Sequence, residues 1–171
     1  MKSKKASETL AITTKVVLPN DTNTLGNLFG GQLLAWMDVI ASVSAARHSK
    51  RVVVTASVNN VSFQKPIRHA SIVTLEAKVS RSFNSSMEVF VDVFVEDPVT
   101  GKREKCNEAI YTFVAVDQNG GPIQVPEVVP ETEEEKVRWE GALRRRQLSL
   151  ILAGKMKPTD ATELRKLFLG E

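Results

Sequence analysis

The stretch from Asp21 to Asp38, DTNTLGNLFGGQLLAWMD, combines residue types that could carry out a hydrolytic reaction. Gly30 and Gly31 lead into a long apolar helical pattern, and their lack of side chains lets a ligand approach the backbone closely. The first amides of a helix have no partner inside the helix, so they can stabilise a developing negative charge. Free backbone donors and an uncompensated carboxylate at Asp38 together predict a hydrolytic site.

Asp38 has no partner of opposite charge at helical spacing. A structural aspartate inside a helix commonly has a basic residue three or four positions away, and here those positions hold Leu34, Ala35, Ala41 and Ser42. Because burying an ionised carboxylate without a partner is costly, Asp38 either lies on the surface, as many carboxylates do, or has a function.

The loop before the helix contains the asparagines Asn20, Asn23 and Asn27. Asparagine often forms turns for purely local reasons. A turn-forming role is therefore the alternative to a catalytic role for each of these amides.

The histidines and the cysteine have ordinary structural explanations. His48 follows Arg47 at the end of the helical pattern, where the helix dipole favours a cation, and His69 lies in a turn. We interpret both histidines as structural or surface residues. Cys106 lies in a strand pattern, which favours a small packed side chain over a nucleophile. Two histidines and one cysteine do not form a typical structural zinc site.

Two further segments could hold phosphate groups. Ser85 and Ser86 lie in a hairpin loop whose hydroxyls and amides could bind an anion. The run Arg144-Arg145-Arg146 offers three guanidinium groups, although charge runs on helices usually face solvent. Both interpretations stay open for each segment.

Strand and helix patterns surround these residues in a simple order. A run rich in β-branched residues over 9–17 predicts a first strand, and the apolar helical pattern covers about residues 31–47. Turn-like sequences separate four further strand patterns, over residues 52–63, 70–81, 87–95 and 103–116. Their lengths and short turns favour an antiparallel meander.

The order strand, helix, four strands also predicts self-association. One long helix cannot cover both faces of a five-stranded sheet, so the remaining apolar face needs a second partner. A second copy of the chain is the simplest partner, and we expect an oligomer.

The chain divides into three parts. We predict a folded core over residues 1–117, a Gly/Pro-rich connector over 118–130 and a helical tail over 131–171. Acidic residues lead and arginines trail in the first tail helix, as the helix dipole favours. A last short helix is predicted over 158–168, with Thr159 or Asp160 as its N-cap.

Composition argues against several classes of protein. The 171 residues are 42% hydrophobic and 25% charged, which is typical of a soluble globular domain. The net charge of +3 suits an anionic ligand, but no strand carries the spaced aromatics of a nucleic-acid-binding face. No apolar run predicts a membrane span and no signal peptide is evident. The single cysteine, Cys106, fits a reducing, cytoplasmic setting.

Three segments carry a resemblance to a known family. DTNTLGNLFGGQLLAWMD, VTASVNNVSFQKPI and RSFNSSMEVFVDVFVED together resemble the acyl-CoA hydrolases of the hotdog-fold thioesterase superfamily, especially bacterial relatives of brain acyl-CoA hydrolase. The resemblance implies an α+β hotdog fold, in which an antiparallel five-stranded sheet wraps around a central helix. It also implies a homo-oligomer that is at least a dimer and often a trimer of dimers.

The resemblance implies a function and site residues as well. It implies hydrolysis of fatty acyl-CoA to fatty acid and CoA, with Asp38 as general base or nucleophile and Asn23, rather than Asn27, orienting water or thioester. The two residues would come from opposite protomers, and the amides at Gly30 and Gly31 would polarise the carbonyl. The phosphates of CoA would contact residues that include Arg81, with the hairpin serines Ser85 and Ser86 and the tail arginines Arg144 and Arg145. No metal or cofactor is expected, and CoA enters only as part of the substrate.

Two alternatives remain within the same fold. A non-catalytic acyl-CoA sensor would pair the domain with a DNA-binding module, for which we expect no room before the first strand. A hydratase would need an aspartate–histidine pair, and His48 lies ten residues after Asp38. Release of free CoA from an acyl-CoA would distinguish the thioesterase from both.

Overall fold

The computed structural model describes residues 2–170 and contains a five-stranded sheet, a two-stranded sheet and three α-helices within that range. The strands are β1 (Lys4–Lys5), β2 (Ala11–Val16), β3 (Val52–Phe63), β4 (Ile72–Ser82), β5 (Ser86–Glu96), β6 (Arg103–Val116) and β7 (Val128–Val129). The α-helices are α1 (Gly30–Ser49), α2 (Glu133–Leu152) and α3 (Thr162–Leu169). The long strands and the central helix lie where the sequence predicts them, within a few residues.

The main sheet is antiparallel and has the strand order β2-β4-β5-β6-β3. Strands β4, β5 and β6 form the predicted meander. The meander does not include β3, which pairs with β6 at the far edge instead of with β4. The connection from β3 to β4 contains Pro66 and runs beside another loop, so it cannot act as a tight hairpin turn.

Helix α1 packs across the inner face of this sheet and contacts all five of its strands. Its alanines let the strands approach closely, because Ala41 and Ala45 are fully buried. The sheet contributes aliphatic side chains that are also fully buried, among them Val73, Leu75, Val79, Val89 and Val91. Burying each such side chain contributes about 1.5–3 kcal/mol, so this contact forms the core.

The first strand of the sheet begins later than its sequence pattern predicts. The pattern predicts strand over residues 9–17, but Ala6–Thr9 form a 3-10 helix and β2 starts at Ala11. The hydroxyl of Thr9 donates to the carbonyl of Ala6 and accepts from the amide of Val79. A side chain thus replaces a ladder hydrogen bond, which sequence periodicity does not reveal.

The chain separates into two compact units, one reaching to Val129 and the other beginning at Pro130. In the second unit, Thr132 and Glu135 form a capping box at the start of α2. The N-cap predicted for α3 at Thr159 or Asp160 is wrong, because the cap is Ala161 and has no side-chain bond. The side-chain oxygen of Gln147 accepts from the first amides of α3 instead.

No helix within residues 2–170 is long and apolar enough to cross a membrane.

Candidate active site

Asn23 organises the loop that leads into α1. Its side-chain oxygen accepts hydrogen bonds from the amides of Leu25 (2.9 Å) and Asn27 (3.2 Å), and its own amide donates to the carbonyl of Asn27 (2.8 Å). Only the oxygen of the side-chain amide can accept, so these bonds fix which way the group faces. The Nδ2 group is therefore directed away from the turn, and it donates to no other group within residues 2–170.

A neighbouring segment holds this loop in place. The amide of Leu28 donates to the carbonyl of Ile67 (2.6 Å), and the amide of His69 donates to the carbonyl of Gly26 (3.0 Å). Between these bonds, Asn27 and Arg68 form an antiparallel bridge. The loop and the start of α1 are thus backed by ordered backbone.

The N-terminus of α1 has no side-chain cap. The N-cap residue is Phe29, its side chain makes no capping bond, and the first turn contains no acidic residue. Among the described residues, the amides of Gly30 and Gly31 have no hydrogen-bond partner. These groups carry the positive end of the helix dipole, so they can receive a negatively charged oxygen.

Two phenylalanine rings pack against the two glycines. A Cβ atom on Gly31 would lie 2.7 Å from the ring of Phe29, and one on Gly30 would lie 3.4 Å from the ring of Phe63. Both rings are more than half exposed in the single chain. Glycine is required at position 31 for the ring to lie there, and apolar surface borders the free amides.

Asp38 lies eight residues further along α1 and is half-buried. The hydroxyl of Thr55 in β3 donates to its Oδ1 atom at 2.8 Å. The Oδ2 atom has no partner within the described part of the chain. A β-bulge between Thr55 and Ser57 shifts the register of β3 at this point, and bulges commonly redirect side chains beside functional sites.

Thr55 is the site residue that sequence reasoning missed. It lies in a valine-rich strand whose alternating pattern does not single it out, and the bulge that follows it has no sequence signal. Its link to Asp38 spans 17 positions and depends on how α1 crosses the sheet.

The two halves of the predicted site lie apart within one chain. At 1.5 Å per residue, Asp38 is ~12 Å along α1 from Gly30. No hydrogen bond joins Asn23 to Asp38 among residues 2–170. One chain therefore presents a donor cluster at the helix start and, separately, a carboxylate held by Thr55.

The expected phosphate-binding residues on the β4–β5 hairpin lie at the other end of the sheet from the start of α1. Strand β4 begins beside the segment that backs the Asn23 loop and ends at this hairpin, ~30 Å away at the rise of a strand. Arg81 lies over the ring of Phe83, Ser85 is partly exposed, and Ser86 is buried at the start of β5. One chain does not bring these residues to its own glycine pair.

The two tail candidates, Arg144 and Arg145, lie on α2 in the second unit. The guanidinium of Arg145 donates to the carbonyl of Arg138 at 2.7 Å. It occupies the space above Gly141, where a Cβ atom would lie 2.5 Å from it. Arg145 thus packs along its own helix.

The histidines and the cysteine lie where a structural role suits them. His48 is fully buried and donates through Nε2 to the carbonyl of Pro126 (2.7 Å). Burial lowers the pKa of His48. It is therefore not the helix-end cation that the sequence favours. His69 is exposed in its turn. Cys106 is buried, and burial raises the pKa of its thiol to about 11. Within residues 2–170, no three potential metal ligands cluster.

A long helix that crosses one face of a five-stranded antiparallel sheet is the hotdog arrangement, and comparisons with known proteins identify the class. The thioesterase superfamily profile matches residues 25–102. The uncharacterized acyl-CoA thioester hydrolase YkhA of Bacillus subtilis is 49% identical over 81% of this chain and 80% of its own. This chain spans only 24–33% of the mammalian acyl-CoA thioesterases it matches.

Solved structures extend the match to the fold. A hexameric acyl-CoA thioesterase superposes with a TM-score of 0.86 at 40% identity, covering 90% of this chain and 98% of its own. The acyl-CoA hydrolase of Staphylococcus aureus, in complex with butyryl-CoA and CoA, superposes with a TM-score of 0.84 at 37% identity, covering 90% and 95%. The chain belongs to the acyl-CoA thioester hydrolases of the thioesterase superfamily. It is a thioester hydrolase with the predicted hotdog fold.

Alanine-substituted forms of the S. aureus enzyme provide a residue-level comparison. The substituted residues are an asparagine, an aspartate and a threonine, separated by 15 and then 17 positions. Asn23, Asp38 and Thr55 have the same identities and the same separations in this chain.

Proposed function

We propose that this enzyme hydrolyses fatty acyl-CoA thioesters to free fatty acid and CoA, with Asp38 as the catalytic carboxylate. The observation that supports this proposal best is the state of that carboxylate. One oxygen is held by Thr55, and the other has no partner in the described chain. A carboxylate oriented through one oxygen has its second oxygen ready to meet a water molecule or a thioester carbon.

Besides an oriented carboxylate, hydrolysis of a thioester needs few catalytic groups. An alkyl thiol has a pKa of about 8.5, so the thiolate leaves without help from a strong acid. Asp38 acts either as a general base that deprotonates water or as a nucleophile that forms a mixed anhydride. In the base route, the oxygen of water bonds to the acyl carbon and its proton passes to Asp38. In the nucleophile route, an oxygen of Asp38 bonds to the acyl carbon, and water then hydrolyses the anhydride to the free acid and the carboxylate. In both routes the carbon–sulfur bond breaks and the sulfur leaves as a thiolate.

The free donors at the start of α1 supply the oxyanion site. We place the thioester oxygen against the amides of Gly30 and Gly31, where backbone donors stabilise the charge that develops during attack. Asn23 adds a side-chain donor, because its oxygen is occupied by the loop and its Nδ2 group is left to bind water or substrate. This fixed orientation favours Asn23 over Asn27.

A complete site needs two chains in this proposal. The donor cluster and Asp38 are ~12 Å apart along α1, and a two-fold dimer can bring the cluster of one protomer to the Asp38 of the other. Apolar side chains are exposed on α1 and on the edge strand β3, at Val39, Val52, Val54 and Val58. We propose a dimer at minimum, assembled as a trimer of dimers; two solved relatives are hexameric thioesterases, which agrees with six chains in such an assembly.

We propose that the phosphates of CoA reach cationic and hydroxyl groups from more than one chain. Arg81, Ser85 and Ser86 are too far from the glycine pair of their own chain, so a neighbouring chain would supply them; Arg144 and Arg145 are further candidates. Arg68 is a candidate in the same chain as the loop. It is exposed, bridges Asn27 through the backbone, and has no side-chain partner within residues 2–170. The chemistry requires no metal or cofactor.

A thiol-release assay across acyl-chain lengths tests the proposal. The protein is incubated with acetyl-, butyryl-, octanoyl- and palmitoyl-CoA, and free CoA is measured with a thiol reagent. Background from the enzyme is low because Cys106, the single cysteine, is buried and has its pKa raised to about 11. We expect turnover that includes the fatty substrates octanoyl- and palmitoyl-CoA. If the protein binds acyl-CoA but releases CoA from none of the four substrates, it is a non-catalytic acyl-CoA-binding protein and the proposal is overturned.

A further inference from the structure

Tyr111 connects the centre of the sheet to the helical turn that carries Asp38. It is 1% exposed on β6, and its hydroxyl donates to the carbonyl of Leu34 at 2.9 Å. Leu34 is four residues before Asp38, so the same carbonyl accepts the amide of Asp38 within the helix. A carbonyl oxygen has two lone pairs and can accept both bonds.

Tyr111 itself is held rigidly in the sheet. Tyr111 pairs with Val89 in β5 and with Val58 in β3, so it lies on a strand that is paired on both sides. Its ring also stacks with that of Phe113, with 6.3 Å between centroids. The hydroxyl is therefore a fixed point from which the position of α1 can be set.

Two hydroxyl groups on adjacent strands reach the same helical turn. Thr55 on β3 donates to the carboxylate of Asp38, and Tyr111 on β6 donates to the backbone one turn earlier. Thr55 fixes one carboxylate oxygen, whereas Tyr111 fixes the backbone from which the side chain projects.

We infer that Tyr111 is a positioning residue for Asp38, and that its hydroxyl sets the direction of the catalytic carboxylate by holding the turn from Leu34 to Asp38 against the sheet. This inference rests on the proposed function, in which Asp38 is the catalytic group. Burial and the charge of Asp38 raise the pKa of Tyr111 to about 12. The phenol therefore stays protonated and remains a donor at any pH at which the enzyme works.

The simpler role for Tyr111 is to fill the core and satisfy its own buried hydroxyl. The Leu34 carbonyl already has its helical partner, so the helix does not need this bond. A core-filling role predicts that Tyr111→Phe changes stability alone. A positioning role predicts a change in kcat that depends on the presence of Asp38.

A double-mutant cycle separates the two roles. Misplacing a reacting group by about 1 Å can cost ~100-fold in rate, and loss of one of two anchors should cost roughly 10-fold in kcat for Tyr111→Phe, with KM within ~2-fold. In an Asp38→Asn background the same change should alter the residual rate by less than ~2-fold, because residues that act through one another are not additive. Thr112→Val is the matched control, since it removes a hydroxyl from the next residue, whose side chain points to the opposite face.

Three outcomes overturn the inference: unchanged kcat in Tyr111→Phe, an equal loss in both backgrounds, or an equal loss in Thr112→Val. The outcomes also separate the inference from the function it rests on. An active Asp38→Asn variant removes the proposed catalytic role itself. An inactive Asp38→Asn variant together with a fully active Tyr111→Phe variant removes only the role of Tyr111.

A spectroscopic test works even if Tyr111→Phe folds poorly. Tyr111 is the only tyrosine in the chain, so biosynthetic replacement of tyrosine by 3-fluorotyrosine labels this position alone. The fluorine resonance should move when Asp38 is replaced in Asp38→Asn, and it should stay in place in the exposed control Asp117→Asn. An unchanged resonance in Asp38→Asn would contradict the coupling.

Discussion

The two ends of α1 differ in whether their terminal backbone groups have hydrogen-bond partners. At the N-terminus no side chain caps the helix, and the amides of Gly30 and Gly31 have no partner within residues 2–170. At the C-terminus, Lys4 donates to the carbonyls of His48 (2.6 Å) and Arg47 (3.4 Å), and the ring of His48 is buried against Pro126. One helix therefore has a closed end and an open end.

In the proposed mechanism, this difference marks where the fold gives up stability for chemistry. Unsatisfied backbone groups at a helix end are normally capped, and loss of a cap costs about 1 kcal/mol. The closed end and the buried alanines of the middle turns hold α1 in place without a cap at its start. The open end then keeps donors for a substrate, which a capped helix could not offer.

The largest effect should follow from removing the carboxylate. Asp38→Asn should lower kcat by at least ~100-fold, the low end for a positioned proton-transfer group, while thermal unfolding stays close to that of the unsubstituted enzyme. Asp117→Asn is the matched control, because this exposed aspartate uses one oxygen for turn bonds that asparagine can keep. Turnover of Asp38→Asn near the unsubstituted rate would reject the assignment.

Closing the open end should have the next largest effect. In Gly31→Ala the new Cβ would lie 2.7 Å from the ring of Phe29, so the ring must move over the free amides. We expect kcat to fall by ~10-fold, since a lost oxyanion donor costs 100-fold or more and this one is only obstructed. Stability should not fall, because alanine favours the helix by about 1 kcal/mol over glycine. Loss of activity that merely follows unfolding would contradict this explanation.

Removing the free cation beside the loop should have a smaller effect, on binding alone. Arg68→Ala should raise KM for acyl-CoA about 5-fold, as expected for an exposed charge contact of about 1 kcal/mol, and leave kcat unchanged. The difference should shrink in high salt, which screens exposed charges. Arg51→Ala, an exposed arginine just beyond the closed end of α1, is the control; equal changes in both variants would exclude a local role for Arg68.

The closed end should respond to pH through stability and not through catalysis. The buried His48 has a pKa lowered by burial, despite its bond to Pro126, and faces Lys4 and Glu8. Below about pH 6.5 the unfolded chain takes up a proton on His48 and the folded chain does not. The free energy of unfolding should therefore decrease as the pH is lowered below about 6.5, by at most about 1.4 kcal/mol for each pH unit, and should not depend on His48 above that pH. Thermal unfolding measured between pH 5 and 8 should show the slope only in the acidic part of this range. His48→Gln should abolish the slope and His69→Gln should keep it, and the reverse pattern would contradict the assignment.

The sequence predicts the fold well because its signals are local. Alternating valines predict β4 and β5, and the glycine pair followed by apolar three- and four-residue spacing predicts α1. The errors arise where distant contacts decide. β3 pairs with β6 because of how the chain crosses over, and α3 is capped by Gln147 from another helix, neither of which has a local signal.

The candidate site was predictable only in part, for the same reason. Asp38 stands out because it lacks a helical partner, and Gly30 and Gly31 stand out as a pair. Thr55 does not stand out, because its importance comes from a bulge and from a contact across the core. The distance of Ser85 and Ser86 from the glycine pair likewise depends on the length of β4, which a motif does not show.

Mixing two inactive variants tests most directly whether the site is built from two chains. Asn23→Ala and Asp38→Ala should each be nearly inactive alone. After dissociation and reassembly together, a heterodimer carries one site with both defects and one with neither, so random pairing should restore roughly a quarter of full activity in a two-fold dimer. If subunit exchange is demonstrated independently and no activity returns, Asn23 and Asp38 of one site belong to the same chain, and the two-chain site is wrong.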